Sequence, residues 1–212
     1  IFPVGLMMIV FVGGELFTGD CKMSMACMKG RIAFGSLLRT LLIVYLGNFA
    51  GAVLIAFLVA HSGQYDYSAG ALGAYTIKTA VGKTGLSFMR ALFSGILCNI
   101  LVCAAVLMAA AAKDIGGKVL AIFFPILAFV VSGFEHCVAN MYYIPAGIFA
   151  AGNPAYVQKA QELYGLGAEK LTGLNWGSFV TVNLLPVTIG NIIGGAVMVG
   201  GVCFYLHGKA EG

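Results

Sequence analysis

Long apolar segments alternate with short polar segments along most of this chain. The apolar segments run from about 1 to 19, 40 to 60, 87 to 112, 122 to 148 and 176 to 206. Each is close to the roughly 20 residues that a helix needs to cross a bilayer. They lack the alternation of polar and apolar residues that marks the strands of membrane barrels. The pattern predicts an all-α integral membrane protein.

The segment 122–148 carries polar side chains in its middle. Glu135, His136 and Asn140 follow directly after the pair Ser132-Gly133. A charged side chain at bilayer depth costs roughly 2.5–3.5 kcal/mol on insertion scales, so such residues usually face a bundle interior or a permeation path. The Ser-Gly pair favours a break in the helix. Backbone groups freed by a break are tolerated within the membrane only where protein or water forms hydrogen bonds with them. We therefore predict a broken helix that lines a pore. A buried polar cluster that merely joins helices is the alternative.

The chain also contains a weak internal repeat. GNFAGAV at 47–53 recurs loosely as GNIIGGAV at 190–197, and each copy follows a segment in which glycine precedes Glu. Three reversals of chain direction separate the copies, which indicates an inverted repeat within one channel domain, 1–212. We assign 1–60 to the first repeat and 87–208 to the second. The first repeat lacks a counterpart of the helix at 87–112, so we expect a further span before Ile1.

The same two copies share G-x-x-x-G spacing, at Gly47/Gly51 and Gly190/Gly194. This spacing lets helix backbones approach closely in membranes, although it is weak evidence by itself.

Composition agrees with a membrane protein. Hydrophobic residues make up 60% of the chain, charged residues 9%, and the mean hydropathy is +0.97, values outside the range of soluble domains. The Lys and Arg residues are too scattered for nucleic-acid binding, but they predict topology by the positive-inside rule. Connections around 22–39 and 113–118 are expected in the cytoplasm, 150–174 outside, and Lys209 with the C-terminus inside. The six cysteines form no C-x-x-C pair and are interpreted as core residues.

Several short motifs, taken together and in order, resemble the formate/nitrite transporter family of bacterial anion channels. They are Phe2-Pro3-Val4-Gly5-Leu6, Gly14-Glu15-Leu16-Phe17-Thr18-Gly19, Ser132-Gly133-Phe134-Glu135-His136, Ala139-Asn140-Met141 and Pro186-Val187-Thr188-Ile189-Gly190-Asn191. The resemblance implies an aquaporin-like fold of six helices, the second and fifth broken. It also implies a homopentamer in the bacterial inner membrane with one anion path per protomer, no cofactor or metal, and no enzymatic activity.

The resemblance further implies roles for individual residues. His136 is similar to the central pore histidine, Thr18 to a threonine on the first broken loop, Lys83 to a lysine at the outer mouth, and Asn191 to a pore-facing asparagine. Three residues match those that support the broken loop and the histidine: Asn99, Glu135 and Asn140. Three match apolar constriction residues: Phe2, Leu6 and Phe129.

Each of these roles has a simpler alternative. His136 could be a satisfied core histidine, and Lys83 a solvated charge in a loop. Thr18 could bond its own helix backbone. The constriction residues could be ordinary side chains facing lipid or core.

These residues suggest a channel for monovalent anions of weak acids, namely hydrosulfide, formate or nitrite. Loss of hydration at apolar rings is prohibitive for an anion unless donors replace water or a proton cancels the charge. Lys83 would concentrate the anion, and Thr18 and His136 would supply hydrogen bonds or a proton. Among these three anions, the overall similarity of the motifs favours hydrosulfide as the substrate.

Two other functions compete. An aquaporin-type channel is suggested by Asn153-Pro154-Ala155, but that triplet occurs once, in a polar segment. A membrane anchor subunit of a redox enzyme would need paired histidines for haem, whereas His61 and His207 lie at the ends of spans far apart in sequence.

Overall fold

The computed structural model describes residues 2–207, so the predicted position of Lys209 lies outside the described residues. All regular secondary structure in this range is helical, and no strand occurs in it. The predicted all-α class is confirmed.

The helices, in chain order, are α1 Phe2–Val12, α2 Phe17–Met28, α3 Phe34–His61, α4 Ala71–Thr84, α5 Phe88–Ala111, α6 Ile115–Val131, α7 Cys137–Ala151, α8 Pro154–Tyr164, α9 Ala168–Thr172 and α10 Trp176–Leu206. A 3-10 turn, Cys21–Met23, lies inside α2. Two π-helical segments lie inside α10, Phe179–Leu184 and Ile193–Val199.

Three helices, α3, α5 and α10, are long and apolar enough to cross a membrane. The pair α1 and α2 meets the same criterion if it is one span, bent by 62° at its break. Helices α6 and α7 are apolar but shorter. The predicted spans therefore correspond to helices throughout the described chain, with α3 beginning six residues earlier than expected.

Both predicted helix breaks are present. Helix α1 ends at Val12 and is followed by Gly13 with φ of +84°, and α6 ends at Val131 and is followed, after Ser132, by Gly133 with φ of +69°. Glycine reaches this left-handed conformation without the steric cost that a Cβ brings. The chain resumes helical structure at Phe17 and at Cys137, in each case four residues after the glycine.

Two predictions of irregular structure were wrong. Lys22 lies inside α2, which continues to Met28, rather than in a connection that begins after residue 19. Lys83 lies in the last turn of α4 rather than in a loop. In α4 the buried positions recur every three or four residues, the spacing of an amphipathic helix: Gly73, Ala74, Ile77, Ala80, Val81 and Thr84. The helix α4 was not predicted from the sequence because its mean hydropathy is low.

The described residues form two compact units, while the repeats 1–60 and 87–208 stay a prediction. The first unit contains residues 2–47, 92–136 and 187–207, and the second contains 48–91 and 137–186.

In the first unit α1 packs against α6. The core of this unit consists of Leu6, Cys98, Val102, Ala105, Ala109, Ala121, Ile122, Ile126 and Phe129. In the second unit α4 packs against α7 and α8. Helix α8 begins at an N-cap, since Asn153 Oδ1 accepts a hydrogen bond of 3.0 Å from the Ala155 amide. Asn153-Pro154-Ala155 is therefore a helix start, with Pro at the first helical position.

One of the two G-x-x-x-G pairs mediates close packing within the chain. A Cβ at Gly190 would collide with the Leu92 carbonyl oxygen, and a Cβ at Gly194 with the Ile96 carbonyl oxygen. Helices α5 and α10 thus approach at backbone distance in the first unit. Among the described residues nothing lies within 4 Å of a Cβ placed at Gly47 or Gly51, so the prediction of close packing was wrong for that pair within this chain.

Candidate functional site

A buried hydrogen bond joins the two interrupted segments. Thr18, the second residue of α2, and His136, the residue before α7, place Oγ1 and Nε2 2.9 Å apart. Thr18 is fully buried and His136 is 6% exposed. Which atom donates depends on the imidazole tautomer. The structure therefore brings together the two residues predicted to contact an anion.

An aromatic column extends from this histidine. The Phe129 and His136 rings are stacked, with centroids 5.7 Å apart and an interplanar angle of 21°. The Phe2 ring meets Phe129 edge-on at 5.5 Å. Leu6 belongs to the same buried cluster as Phe129. The residues predicted as constrictions thus form one apolar cluster beside the imidazole.

The segment that carries His136 is held by side chains from α5 and α10. Asn191 Nδ2 donates to the Gly95 carbonyl at 2.7 Å and to the Glu135 carbonyl at 3.1 Å. The Glu135 amide donates to Ser94 Oγ at 3.0 Å. Asn191 is fully buried, and both its N–H groups engage main-chain carbonyls. Asn191 therefore holds the second break within this chain, and the pore-facing role that the resemblance implies for it stays a prediction.

Asn99 links the same frame to the first break. Its Nδ2 donates to the Asn191 carbonyl at 2.6 Å, and its Oδ1 lies 3.8 Å from the Cys103 thiol. That thiol also donates to the Thr18 carbonyl at 3.3 Å. Asn99 and Cys103 are both fully buried. One turn of α5 therefore contacts the backbone of both Thr18 and Asn191, and the supporting role expected for Asn99 stays a prediction.

Asp20 was not foreseen as part of this region. It is 6% exposed, its Oδ1 lies 4.0 Å from Lys22 Nζ, and its Oδ2 has no hydrogen-bond partner among the described residues. Lys22 Nζ also donates to the Gly19 carbonyl at 3.2 Å. Because the first apolar segment was predicted to end at about residue 19, a buried carboxyl group at Asp20 was not expected. Glu15, which precedes α2, is exposed within the chain.

Lys83, Asn140 and two residues that the sequence did not single out meet in the second unit. Asn140 Nδ2 donates to Asn183 Oδ1 at 2.7 Å, and Asn183 Nδ2 donates to the Lys83 carbonyl at 3.0 Å. Both asparagines are fully buried. The Lys83 ammonium lies over the Tyr143 ring, 5.4 Å from its centroid. The sequence contains a signal for Asn183, because it is an amide side chain inside an apolar span, as Asn140 is.

The described part of the chain contains no cluster of three or more His, Cys, Asp or Glu side chains that could hold a metal ion. The Thr18 hydroxyl and the His136 imidazole can each donate and accept hydrogen bonds, and such bonds are strengthened in a buried setting.

Comparisons with known proteins identify the family of this chain. The family model described as "Formate/nitrite transporter" matches residues 1–205. The formate channel FocA of Haemophilus influenzae is 41% identical over 202 residues, covering 94% of this chain and 70% of that protein. A probable formate transporter of Methanothermobacter thermautotrophicus is 38% identical over 223 residues, covering 99% of this chain and 74% of that protein.

Among solved structures, a "Pentameric formate channel with formate bound" superposes with a TM-score of 0.83 at 33% identity, covering 98% of this chain and 80% of that one. The matches in sequence and structure span nearly the whole chain, and the resemblance seen in its motifs is confirmed. The chain belongs to the formate/nitrite transporter family, a family of membrane transport proteins rather than enzymes.

Proposed function

We propose that this protein is a membrane channel for small monovalent anions of weak acids, with formate as the first substrate to test. The observation that carries the proposal is the buried hydrogen bond between Thr18 and His136, which places a hydroxyl and an imidazole from two helix breaks at one point. Polar side chains at such depth usually serve a permeation path or a proton relay.

The apolar cluster imposes an energetic cost on a passing anion, and Thr18 and His136 would offset that cost. An anion passing Phe2, Leu6 and Phe129 would lose most of its hydration, and the loss is prohibitive without replacement donors or a neutralising proton. Thr18 and His136 supply either a hydrogen bond or, from His136, a proton. Formate, nitrite and hydrosulfide are conjugate bases of weak acids, so protonation would let them cross the cluster as neutral molecules.

The remaining residues would support this step. Lys83 draws anions to the outer mouth by its charge. Asn191, whose carbonyl accepts a hydrogen bond from Asn99, holds the second broken segment at the Glu135 carbonyl. Asn140 anchors Asn183, which supports the end of α4.

We further propose an aquaporin-like inverted repeat assembled as a homopentamer in the bacterial cytoplasmic membrane, with the C-terminus cytoplasmic. Support for the repeat comes from the two breaks, each at a glycine with positive φ and each followed by a new helix within a few residues. Support for the pentamer comes from the pentameric formate channel that this chain resembles. Because the outward-facing side chains of α3 are largely apolar and exposed, lipid or neighbouring protomers would have to cover them.

The proposed substrate order differs from the one that the sequence motifs favoured. Two relatives are named as a formate channel and a probable formate transporter, and these names support formate as the first substrate to test. Hydrosulfide and nitrite are the next candidates, because they have the same charge and are similarly small.

The test is initial formate flux into proteoliposomes for the wild type, Thr18→Val and Thr18→Ser. Valine keeps the shape of threonine and removes its hydroxyl, while serine keeps the hydroxyl. A hydrogen bond to a charged group contributes about 1.5–3 kcal/mol, so we expect flux to fall by about tenfold or more in Thr18→Val. Thr18→Ser should retain most of the activity. Correct assembly is verified by size-exclusion chromatography.

The proposal fails if correctly assembled wild-type protein conducts none of the three anions above the empty-liposome rate. Equal flux in Thr18→Val and wild type would remove Thr18 from the anion path but leave the channel function intact.

A further inference from the structure

The C-terminal end of α4 is held by an amide from a distant helix. The last carbonyl groups of a helix lack partners within it and need donors from elsewhere. Helix α4 ends at Thr84, and the Lys83 carbonyl accepts a hydrogen bond of 3.0 Å from Asn183 Nδ2. Asn183 is fully buried and lies 100 positions further along the chain. It therefore fixes the turn from which the Lys83 side chain departs.

The orientation of the Asn183 amide is itself determined. Asn140 Nδ2 donates to Asn183 Oδ1 at 2.7 Å. With its oxygen engaged by that donor, Asn183 presents its NH2 group to the Lys83 carbonyl. The two asparagines thus form a directed chain of amides, from Asn140 on α7 through Asn183 on α10 to the end of α4.

Asn183 lies in the π-helical segment Phe179–Leu184 of α10. Such segments insert an extra residue into a helical turn, and they are frequent at functional sites because they redirect side chains. Here the segment coincides with the point at which α10 reaches the end of α4 in the second unit.

The Lys83 side chain has a second point of support. Its ammonium lies over the Tyr143 ring at 5.4 Å, a cation–π geometry. Tyr143 lies three residues after Asn140 on α7, on the same side of that helix. Helix α7 therefore helps to place both the backbone and the charge of Lys83.

We infer that Asn183 is a positioning residue for Lys83. Together with Tyr143, it holds the Lys83 ammonium at the outer mouth, where anions are attracted. The inference rests on the proposed role of Lys83 in attracting monovalent anions. It assigns a functional role to an asparagine that does not contact the anion.

Salt dependence separates this role from a merely structural one. Attraction between an anion and the partly exposed charge of Lys83 acts over a Debye length of about 30 Å at 0.01 M ionic strength and about 8 Å at 0.15 M. The measured quantity is the ratio of initial formate flux at these two ionic strengths. Loss of stability or of active protein lowers both fluxes by the same factor, whereas loss of steering lowers the ratio.

The variants are Lys83→Gln, Asn183→Leu and the combination of the two. Wild type should give a ratio about two- to threefold above that of Lys83→Gln. Asn183→Leu should lower the ratio at least halfway towards that of Lys83→Gln, and the double variant should have the same ratio as Lys83→Gln alone. Thr181→Val is the matched control, because Thr181 lies on the same π-helical segment and bonds only its local backbone at Gly177. It should keep the wild-type ratio.

Tyr143 provides a second test if Asn183→Leu fails to assemble. Tyr143→Phe keeps the ring over which the ammonium lies and should keep the ratio, while Tyr143→Leu removes the ring and should lower it. The inference is overturned if Asn183→Leu, or in its absence Tyr143→Leu, reduces flux equally at both ionic strengths. If Lys83→Gln itself keeps the wild-type ratio, the proposed steering by Lys83 is wrong, and the inference falls with it. Formate conduction by the wild type would be unaffected by that result.

Discussion

At the scale of single residues, the interaction between Thr18 and His136 distinguishes this site from an ordinary helix interface. Two buried polar groups, each beside a helix break, use each other as hydrogen-bond partners. Buried polar groups need such partners, and leaving one of them unpaired costs about 1–3 kcal/mol. A passing anion would have to compete for these donors, so the same bond that satisfies the empty site can be exchanged for a bond to the substrate.

Replacement of His136 separates hydrogen bonding from proton transfer. His136→Phe keeps a ring against Phe129 but removes both nitrogens, so we expect formate flux to fall by about tenfold or more. His136→Asn keeps a donor but does not titrate, so it should conduct while losing the dependence of flux on external pH between about 5 and 8, where histidine normally titrates. The measurement is initial flux in proteoliposomes across that pH range.

Wild-type flux and pH response in both His136 variants, after correct assembly, would make this histidine a structural residue. If instead His136→Asn conducts with unchanged pH dependence, hydrogen bonding is sufficient and another group carries the proton.

At the scale of helices, the two G-x-x-x-G pairs differ in what surrounds them. Gly194 faces the Ile96 backbone in the first unit, while Gly51 has open space within the described chain. Alanine favours helix by about 1 kcal/mol over glycine, but a Cβ at Gly194 would have to push α5 and α10 apart. Overpacking of this kind typically costs about 1–3 kcal/mol.

We therefore expect Gly194→Ala to lower thermal stability in detergent and Gly51→Ala to leave it unchanged or raise it. Thermal unfolding followed by size-exclusion chromatography compares the two variants directly. A Gly51→Ala variant that is as unstable as Gly194→Ala would show that Gly51 packs against another copy of the chain. Unchanged stability in Gly194→Ala would contradict the close approach of α5 and α10.

The sequence predicted the elements whose signals are local. Glycines at 13 and 133 mark breaks because they permit a positive φ, and the apolar runs have the length of spans. It did not predict α4, whose buried face consists mostly of small residues and whose mean hydropathy is low. It also did not predict that Asn191 supports the second break, because that role depends on Gly95 and Glu135, which lie 96 and 56 positions away in sequence. Contacts over such separations leave no periodic pattern to read.

At the scale of the whole molecule, the proposed inverted repeat has a consequence for sidedness. If the repeats run oppositely through the membrane, the two breaks should open towards opposite faces. Gly14→Cys and Ser132→Cys introduce thiols at exposed positions of the two breaks, in a background where the partly exposed Cys27 and Cys203 are changed to Ser.

A membrane-impermeant thiol reagent applied to oriented vesicles should label Gly14→Cys from one face and Ser132→Cys from the other. The parent protein without either added cysteine is the control for labelling of the buried native thiols. Labelling of both positions from the same face would rule out the inverted repeat.

The separation of Thr18 and His136 in sequence also bears on biosynthesis. The two residues are 118 positions apart, and a ribosome adds roughly 5–20 residues per second, so Thr18 is made several seconds before its partner. During that interval the nascent chain holds the first helix break, the Thr18 hydroxyl and part of the apolar cluster, but not the His136 imidazole. The pair of residues on which the proposed anion path depends is thus complete only once His136 has been made. A chain terminated before His136 would insert helices into the membrane without one of the two side chains that we propose contact the anion.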